Sequence, residues 1–271
     1  MAFLLLNLFL SYQLWLQGGV SSATPLQRDG EMPRLEVALE EAGLTMDFSP
    51  PRGAMRLSHL SVEPVELSRQ ELLNFFFPQA DELVVQRVDQ HIHYRQGDRN
   101  LSIDPTGLVS FRLDRENNAE EITEEEALQL APELLEIIAA QVELQEDYHM
   151  PRGEGWFLNY SQEFNDFPIF SGYLQIQVAG KEIVNVELYL LDPLEFSGQE
   201  REIIPVSTAL LRFLEEYGQD VAGTEIIKLD LGFYSPQYVA ERWEIPPVWR
   251  ILIDSGEVFY INAFTGHLEG N

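Results

Sequence analysis

The stretch DQHIHYR at residues 89–95 is where this chain comes nearest to a metal-ligand pattern. Side chains on a strand alternate with period two, so Asp89, His91 and His93 would share one face. Two imidazoles and a carboxylate suit Zn2+ or another divalent ion. The competing reading is a solvent-facing polar row with Ile92 and Tyr94 packed inward. That reading is the stronger, because no helical histidine or downstream ligand run accompanies the pair. His59, His149 and His267 are scattered without pattern. The chain has no cysteine, which excludes disulfides, thiolate catalysis and Cys-ligated zinc. It holds no phosphate-cradling glycine loop, no dinucleotide-binding glycine fingerprint, no HExxH and no GxSxG. Its 45 acids guarantee carboxylate pairs by number alone, so they single out no glycosidase-like acid and base. The residues therefore predict no catalytic group, no metal and no cofactor.

The elements that would position such residues belong to a chain of 271 residues, 45% hydrophobic, enough for one large or two small domains. Its net charge of −28 repels phosphate backbones and anionic lipid headgroups, which argues against nucleic-acid binding. Soluble partners should be basic or should meet an apolar patch. The absence of cysteine leaves the compartment open.

Residues 1–16, MAFLLLNLFLSYQLWL, are apolar apart from Asn7, Ser11, Gln13 and the hydroxyl of Tyr12. As a helix they would span roughly 24 Å, against a hydrocarbon core of about 30 Å, and Gly18 to Val20 could lengthen it. An uncleaved N-terminal anchor, a signal peptide cut near VSSA (residues 20–23) and a buried soluble helix are the three readings. An amide in lipid seeks a partner across helices, so Asn7 is a candidate for helix pairing. Residues 18–33, rich in Gly, Ser and Pro, read as a linker.

Beyond the linker, a short helix is expected over 34–43 and a strand or hairpin over 50–67, broken by Pro64. Residues 68–78 read as a helix with a capping box of Ser68 and Glu71. Residues 82–115 read as three strands, turned at 96–98 and 104–107. The region 117–147 is expected to be helical, capped by Thr123 and Glu126 and kinked or split at Pro132. Its acids, without one Lys or Arg, mark a solvated ridge. Strands follow at 156–164, 173–180 and 182–196, with a small turn at Ser171-Gly172. A helix over 205–218, a strand over 226–234 and a hairpin over 248–266 close the chain. The expected class is α+β: two similar lobes of antiparallel sheet covered by helices, after an N-terminal transmembrane helix. The expected division is an anchor at 1–17, a linker at 18–33, a lobe at 34–118 and a second lobe at 119–271. Phe75 to Phe77, Tyr160, Phe164, Phe167, Phe170, Phe233, Tyr234 and Trp249 read as core and inter-lobe packing. An apolar surface for a partner is the other reading of these rings.

FLLLNLFLSYQLW, FNDFPIFSGYLQIQVAGKEI and LDLGFYSP with IPPVWRILIDSGEVFYINAFTG together resemble the YycI family, with the related YycH family as runner-up. Residues 34–118 match only in plan. The strongest pieces are Pro247 to Ile251 with Asn262, Ala263 and Gly266, and Phe167 to Phe170 with Gly172. These are large and turn-forming residues, so 165–178 looks like framework paired with 182–191. The resemblance implies a membrane-anchored, non-enzymatic regulator of the WalK/WalR (YycG/YycF) two-component system, with its body on the extracytoplasmic side. It implies as partners a YycH-like protein and a histidine kinase of the WalK/YycG type. Carried onto this chain, the partner-contacting helix spans 3–16 and includes Phe3, Leu6, Asn7, Leu10, Tyr12, Gln13 and Leu14. A secreted binding or inhibitory module, released by signal-peptide cleavage, is the alternative.

Overall fold

The computed structural model describes residues 31–47, 55–78, 82–114, 121–236 and 240–270. Helix α1 (Glu31–Ala42) is followed by β1 (Arg56–Pro64) and α2 (Arg69–Phe76). A meander comes next: β2 (Val84–Val88), β3 (His91–Gln96), β4 (Arg99–Ile103) and β5 (Val109–Leu113). Two short helices, α3 (Glu124–Leu128) and α4 (Pro132–Ala139), precede β6 (Gln145–Arg152), β7 (Gly155–Phe164), β8 (Phe167–Ala179) and β9 (Glu182–Tyr189). The remainder is β10 (Leu191–Glu202), α5 (Val206–Tyr217), β11 (Ile226–Phe233), β12 (Trp243–Ile245), β13 (Pro247–Ile253), β14 (Val258–Asn262) and β15 (Leu268–Gly270). The architecture is α+β and dominated by strands.

A twelve-stranded sheet runs β15-β14-β13-β11-β8-β9-β5-β4-β3-β2, with β7 branching from β8 and β6 pairing β7. A second sheet has the order β10-β1-β12. Among the described strands every ladder is antiparallel except one: β11 meets β8 in parallel at Phe233 and Ile169. That parallel contact lies where two differently packed halves of the large sheet meet.

Each half has its own core. In the first, Leu72 and Phe76 of α2 and Ala127, Leu134 and Ile138 of α3 and α4 cover Leu101, Phe111, Leu158, Ile176 and Val186. In the second, Leu35 and Leu39 of α1 and Leu210 and Phe213 of α5 join Leu60, Val62, Ile226, Phe233, Ile251 and Phe259. Of the buried apolar residues between Val65 and Leu190, Ile169 and Tyr189 belong to the second core, Phe170 to neither, and the others to the first. Residues 35–44 and 57–62 pack with the C-terminal third. Period-two patterning reveals which face of a strand is buried, but not which of two cores receives it.

Several local expectations meet their structure here. Thr123 caps α3 with the reciprocal bond from Glu126. Pro132 ends one helix and opens the next at its first turn, where its missing N–H costs nothing. Ser68 precedes α2, but its side chain makes no capping bond, so that capping box is not formed. The helical region stops at Ala139, and residues from Gln145 onward form β6. The segment 82–115 holds four strands rather than three, because Asp89-Gln90 is a hairpin turn with φ of 50° and 72°. Asn165-Asp166 turns β7 into β8 in the same way, with φ of 51° and 66°. Both left-handed pairs match the twist of flanking strands. Neither contains glycine, the usual signal for such a turn.

Candidate functional site

Strand β8 crosses from one core to the other. Ile169 packs in the second core, and Leu174, Ile176 and Val178 pack in the first. Ser171-Gly172, read from the sequence as a small turn, lies within the strand at a break in register. There Ser161 opposes Tyr173, and the next residue, Gln162, opposes Ile169. The bulge re-aims Gln162, which is 2% exposed, across the junction. Its amide nitrogen donates to the Leu191 carbonyl at 2.5 Å, and its amide oxygen accepts from the Leu191 N–H at 2.8 Å. Gly172 is required beside it, since a β-carbon there would come 2.0 Å from the Gln162 amide oxygen. Ser171 adds a neighbouring tie: its hydroxyl donates to the Ser235 carbonyl and accepts from the Ser235 N–H, both at 2.8 Å.

A second connection is ionic. β6 carries a bulge between Glu146 and Tyr148, which turns the Asp147 side chain inward to 3% exposure. Arg250, at the centre of the wholly buried strand β13, grips it through both terminal nitrogens, Nη2 reaching Asp147 Oδ1 at 2.8 Å. The same Nη2 donates to Asp230, the cross-strand neighbour of Arg250 on β11. Lys228 Nζ donates to the Asp147 carbonyl at 2.8 Å and to its Oδ1 at 2.6 Å. Asn159 Nδ2 donates to Asp147 Oδ2 at 2.8 Å. The guanidinium lies over the Phe170 ring at 4.1 Å, a cation–π contact. Two cations and two carboxylates thus neutralise each other between strands of different halves.

Asp147, Asn159 and Arg250 of this cluster line a cleft of about 540 Å3. Tyr148, Phe157, Phe170, Tyr173, Tyr234 and Tyr260 line it, with Tyr234 and Tyr260 stacked at 3.8 Å. Burial by itself would raise the Asp147 carboxyl. Hydrogen bonds and charge from Arg250, then from Lys228, outweigh it and hold the group below its ordinary value. Burial opposes the charge on Arg250 too, and its bonds to Asp147 and Asp230 more than restore it. Tyr148 is pushed up to about 12 by burial and then by the Asp147 charge. Tyr260 is raised, chiefly by burial. Asp147 and Arg250 are held charged, and Tyr148 and Tyr260 are held neutral. None is poised to shuttle a proton at physiological pH, which is what general acid–base chemistry requires. The arrangement suits holding two halves together around an aromatic cleft.

The residues singled out from sequence fall elsewhere. Phe3, Leu6, Asn7, Leu10, Tyr12, Gln13 and Leu14 lie outside the described residues. Asp89 sits in the hairpin turn and does not share the strand face of the histidines. The His91 and His93 rings lie 6.2 Å apart, and His91 Nδ1 is 3.1 Å from the Asp89 carbonyl oxygen. Tyr94 is buried and Ile92 half-buried, as the polar-row reading expects. Phe76, Phe77, Tyr160, Phe170, Phe233 and Trp249 are buried. Asp147, Gln162, Lys228 and Arg250 had not been assembled from the sequence. One signal was present: an arginine inside the apolar run PVWRILI must be paired if the strand is buried.

No family model matches this chain, and no curated protein matches it. Solved structures do. An uncharacterized protein from Eubacterium rectale ATCC 33656 superposes with a TM-score of 0.53 at 13% identity, over 84% of this chain and 91% of that one. YycH from Bacillus subtilis superposes with a TM-score of 0.51 at 14% identity, over 78% of this chain and 52% of that one. The chain thus spans about half the length of that YycH. The C-terminal domain of YpeB from Bacillus megaterium gives a TM-score of 0.41 at 11% identity, over 76% of this chain and 96% of that one. At these identities the likeness to the first two is one of fold.

Proposed function

We propose that this protein is a membrane-anchored, non-catalytic regulator of a histidine kinase of the WalK/YycG type, a YycI-like relative within the fold that YycH shares. The carrying observation is the YycH-like fold of the body, joined to the apolar run at residues 1–16. The cleft supports the reading from the side of chemistry, since Asp147, Tyr148, Tyr260 and Arg250 are all tuned away from proton transfer. In this proposal residues 1–17 cross the membrane once. The body, two lobes of similar plan, lies on the extracytoplasmic side and associates with a YycH-like partner. Phe3, Leu6, Asn7, Leu10, Tyr12, Gln13 and Leu14 face the kinase helices. A helix beside the kinase shifts its equilibrium only through a difference in affinity for its two arrangements. The output would be kinase-controlled cell-wall metabolism.

Co-purification tests the proposal. Full-length protein should retain a WalK-type kinase from detergent-solubilised membranes, and the same protein lacking residues 1–20 should lose it. Loss of the kinase from both forms, with unchanged output of a WalR-dependent reporter on deletion of 1–20, would reject the regulator reading.

A further inference from the structure

Among the described residues the large sheet ends on one side at β2, which pairs there with β3 alone. All five of its residues are exposed, and Val84, Val85 and Val88 stand at 52%, 53% and 53%. Three of the seven large hydrophobics exposed among the described residues therefore sit on one five-residue strand. Free edges invite pairing, and proteins usually blunt them with short strands or charge. The other edges among the described residues follow that rule, including β6, which pairs with β7 alone and carries Glu146. β15 and β12 have three residues each and carry Glu269 and Glu244. β10 is long but bears Asp192, Glu195, Glu200 and Glu202. Only β2 among these edges combines length with an apolar surface and no acid.

We infer that β2 is a self-recognition edge, pairing antiparallel with β2 of a second copy about a two-fold axis at Gln86. The hairpin turn at Asp89-Gln90 makes Val88 and His91 a hydrogen-bonded pair, and alternate residues follow. Val84, Gln86 and Val88 thus direct their backbone groups to β3. Val85 and Arg87 direct theirs outward. In the two-fold register Val85 lies opposite Arg87 of the copy, so those outward N–H and C=O groups bond one another.

The side chains agree with that register. On the open face, Val84 meets Val88 of the copy and Gln86 meets Gln86. On the face that carries Tyr94, Val85 meets Arg87, so no like charges stand directly opposite. Charge also favours this edge. The hairpin over 82–98 holds Glu82, Asp89 and Asp98 against Arg87 and Arg95, near balance in a chain of net charge −28. Charge repulsion between two copies is therefore small at this hairpin. This association is independent of the kinase reading and leaves the cleft free.

The absence of cysteine makes the test clean. In the full-length protein in detergent, Gln86→Cys should give a disulfide-linked dimer on mild oxidation, because the axis places the two thiols in a close non-hydrogen-bonded pair. Val37→Cys, on exposed α1, should not. Sedimentation should show a concentration-dependent dimer, weakened about tenfold or more by Val85→Pro, which removes one outward N–H without touching the β3 ladder. A chain that stays monomeric with Gln86→Cys reduced would overturn the inference, and would leave the edge to residues 1–30 or to another protein. Equal cross-linking of Val37→Cys, or a dimer indifferent to folded Val85→Pro, would overturn it as well.

Discussion

Two connections join the halves of this molecule, and they are built from opposite materials. Gln162 reaches the Leu191 backbone with a neutral amide, and Gly172 leaves the space it needs. Arg250 reaches Asp147 with a buried ion pair, completed by Lys228, Asp230 and Asn159. A neutral amide loses little by leaving water if both its ends are bonded. A buried ion pair loses several kcal/mol per ion and recovers it only through close geometry. The neutral connection should therefore be indifferent to pH and salt, whereas the ionic one should respond to acid and form the more adjustable side of the junction.

The largest effect expected is from Arg250→Ala, which strands Asp147 and Asp230 and should cost about 3–5 kcal/mol in urea unfolding. Replacing Arg250 and Asp147 together by apolar residues should cost less than the two single changes summed, because the charges then leave as a pair. Trp249→Ala removes a side chain only 5% exposed, bonded through its ring nitrogen to the Ile204 carbonyl at 3.0 Å. It should cost about 3–5 kcal/mol by cavity formation. A variant as heat-stable as the parent would show that the second core does not depend on that ring. Gln162→Leu orphans the N–H and C=O of Leu191 and should cost about 2–4 kcal/mol, at about 1–2 per group. If it exceeds Arg250→Ala, the ranking of the two connections is reversed. Gly172→Ala should cost about 1–3 kcal/mol, since Gln162 must yield, and the loss should shrink in a Gln162→Ala background.

The smallest and most diagnostic difference is in pH. Asp147 lies below its ordinary value of 3.8 in the folded state. Its contribution is therefore complete above that value and is lost as pH falls through the lower folded value. The drop in unfolding free energy between pH 7 and pH 3 should be smaller in Asp147→Asn than in the parent. In Gln162→Leu it should match the parent. An equal drop in all three proteins would show that the ionic connection is not the acid-sensitive one.

Much of the local structure was legible because its causes are local. Thr123 and Glu126 stand three apart before an apolar run, and they form the capping box. Pro205 and Gly218 bracket α5, whose Val206, Ala209, Leu210 and Phe213 repeat with helical period and are buried. Ser68 shows the limit. Its spacing to Glu71 is the same as in the α3 box, yet its side chain caps nothing, and its carbonyl instead accepts from the N–H groups of Glu71 and Leu72. The hairpin turns at Asp89-Gln90 and Asn165-Asp166 were hidden because neither has glycine where φ is positive. The site was hidden for another reason: Asp147 and Arg250 are 103 residues apart and meet only through a bulge.

By itself, then, the sequence determined the α+β class, most strand and helix positions, and an exterior dominated by acid. Periodicity, capping chemistry and charge act over a few residues and are written in order along the chain. Tertiary structure alone decided that residues 35–44 and 57–62 pack beside the C-terminal third, that β8 spans both cores, and that an arginine and an aspartate neutralise each other between them. Those outcomes depend on which buried face meets which other, and alternation along a strand holds no information about its distant neighbour.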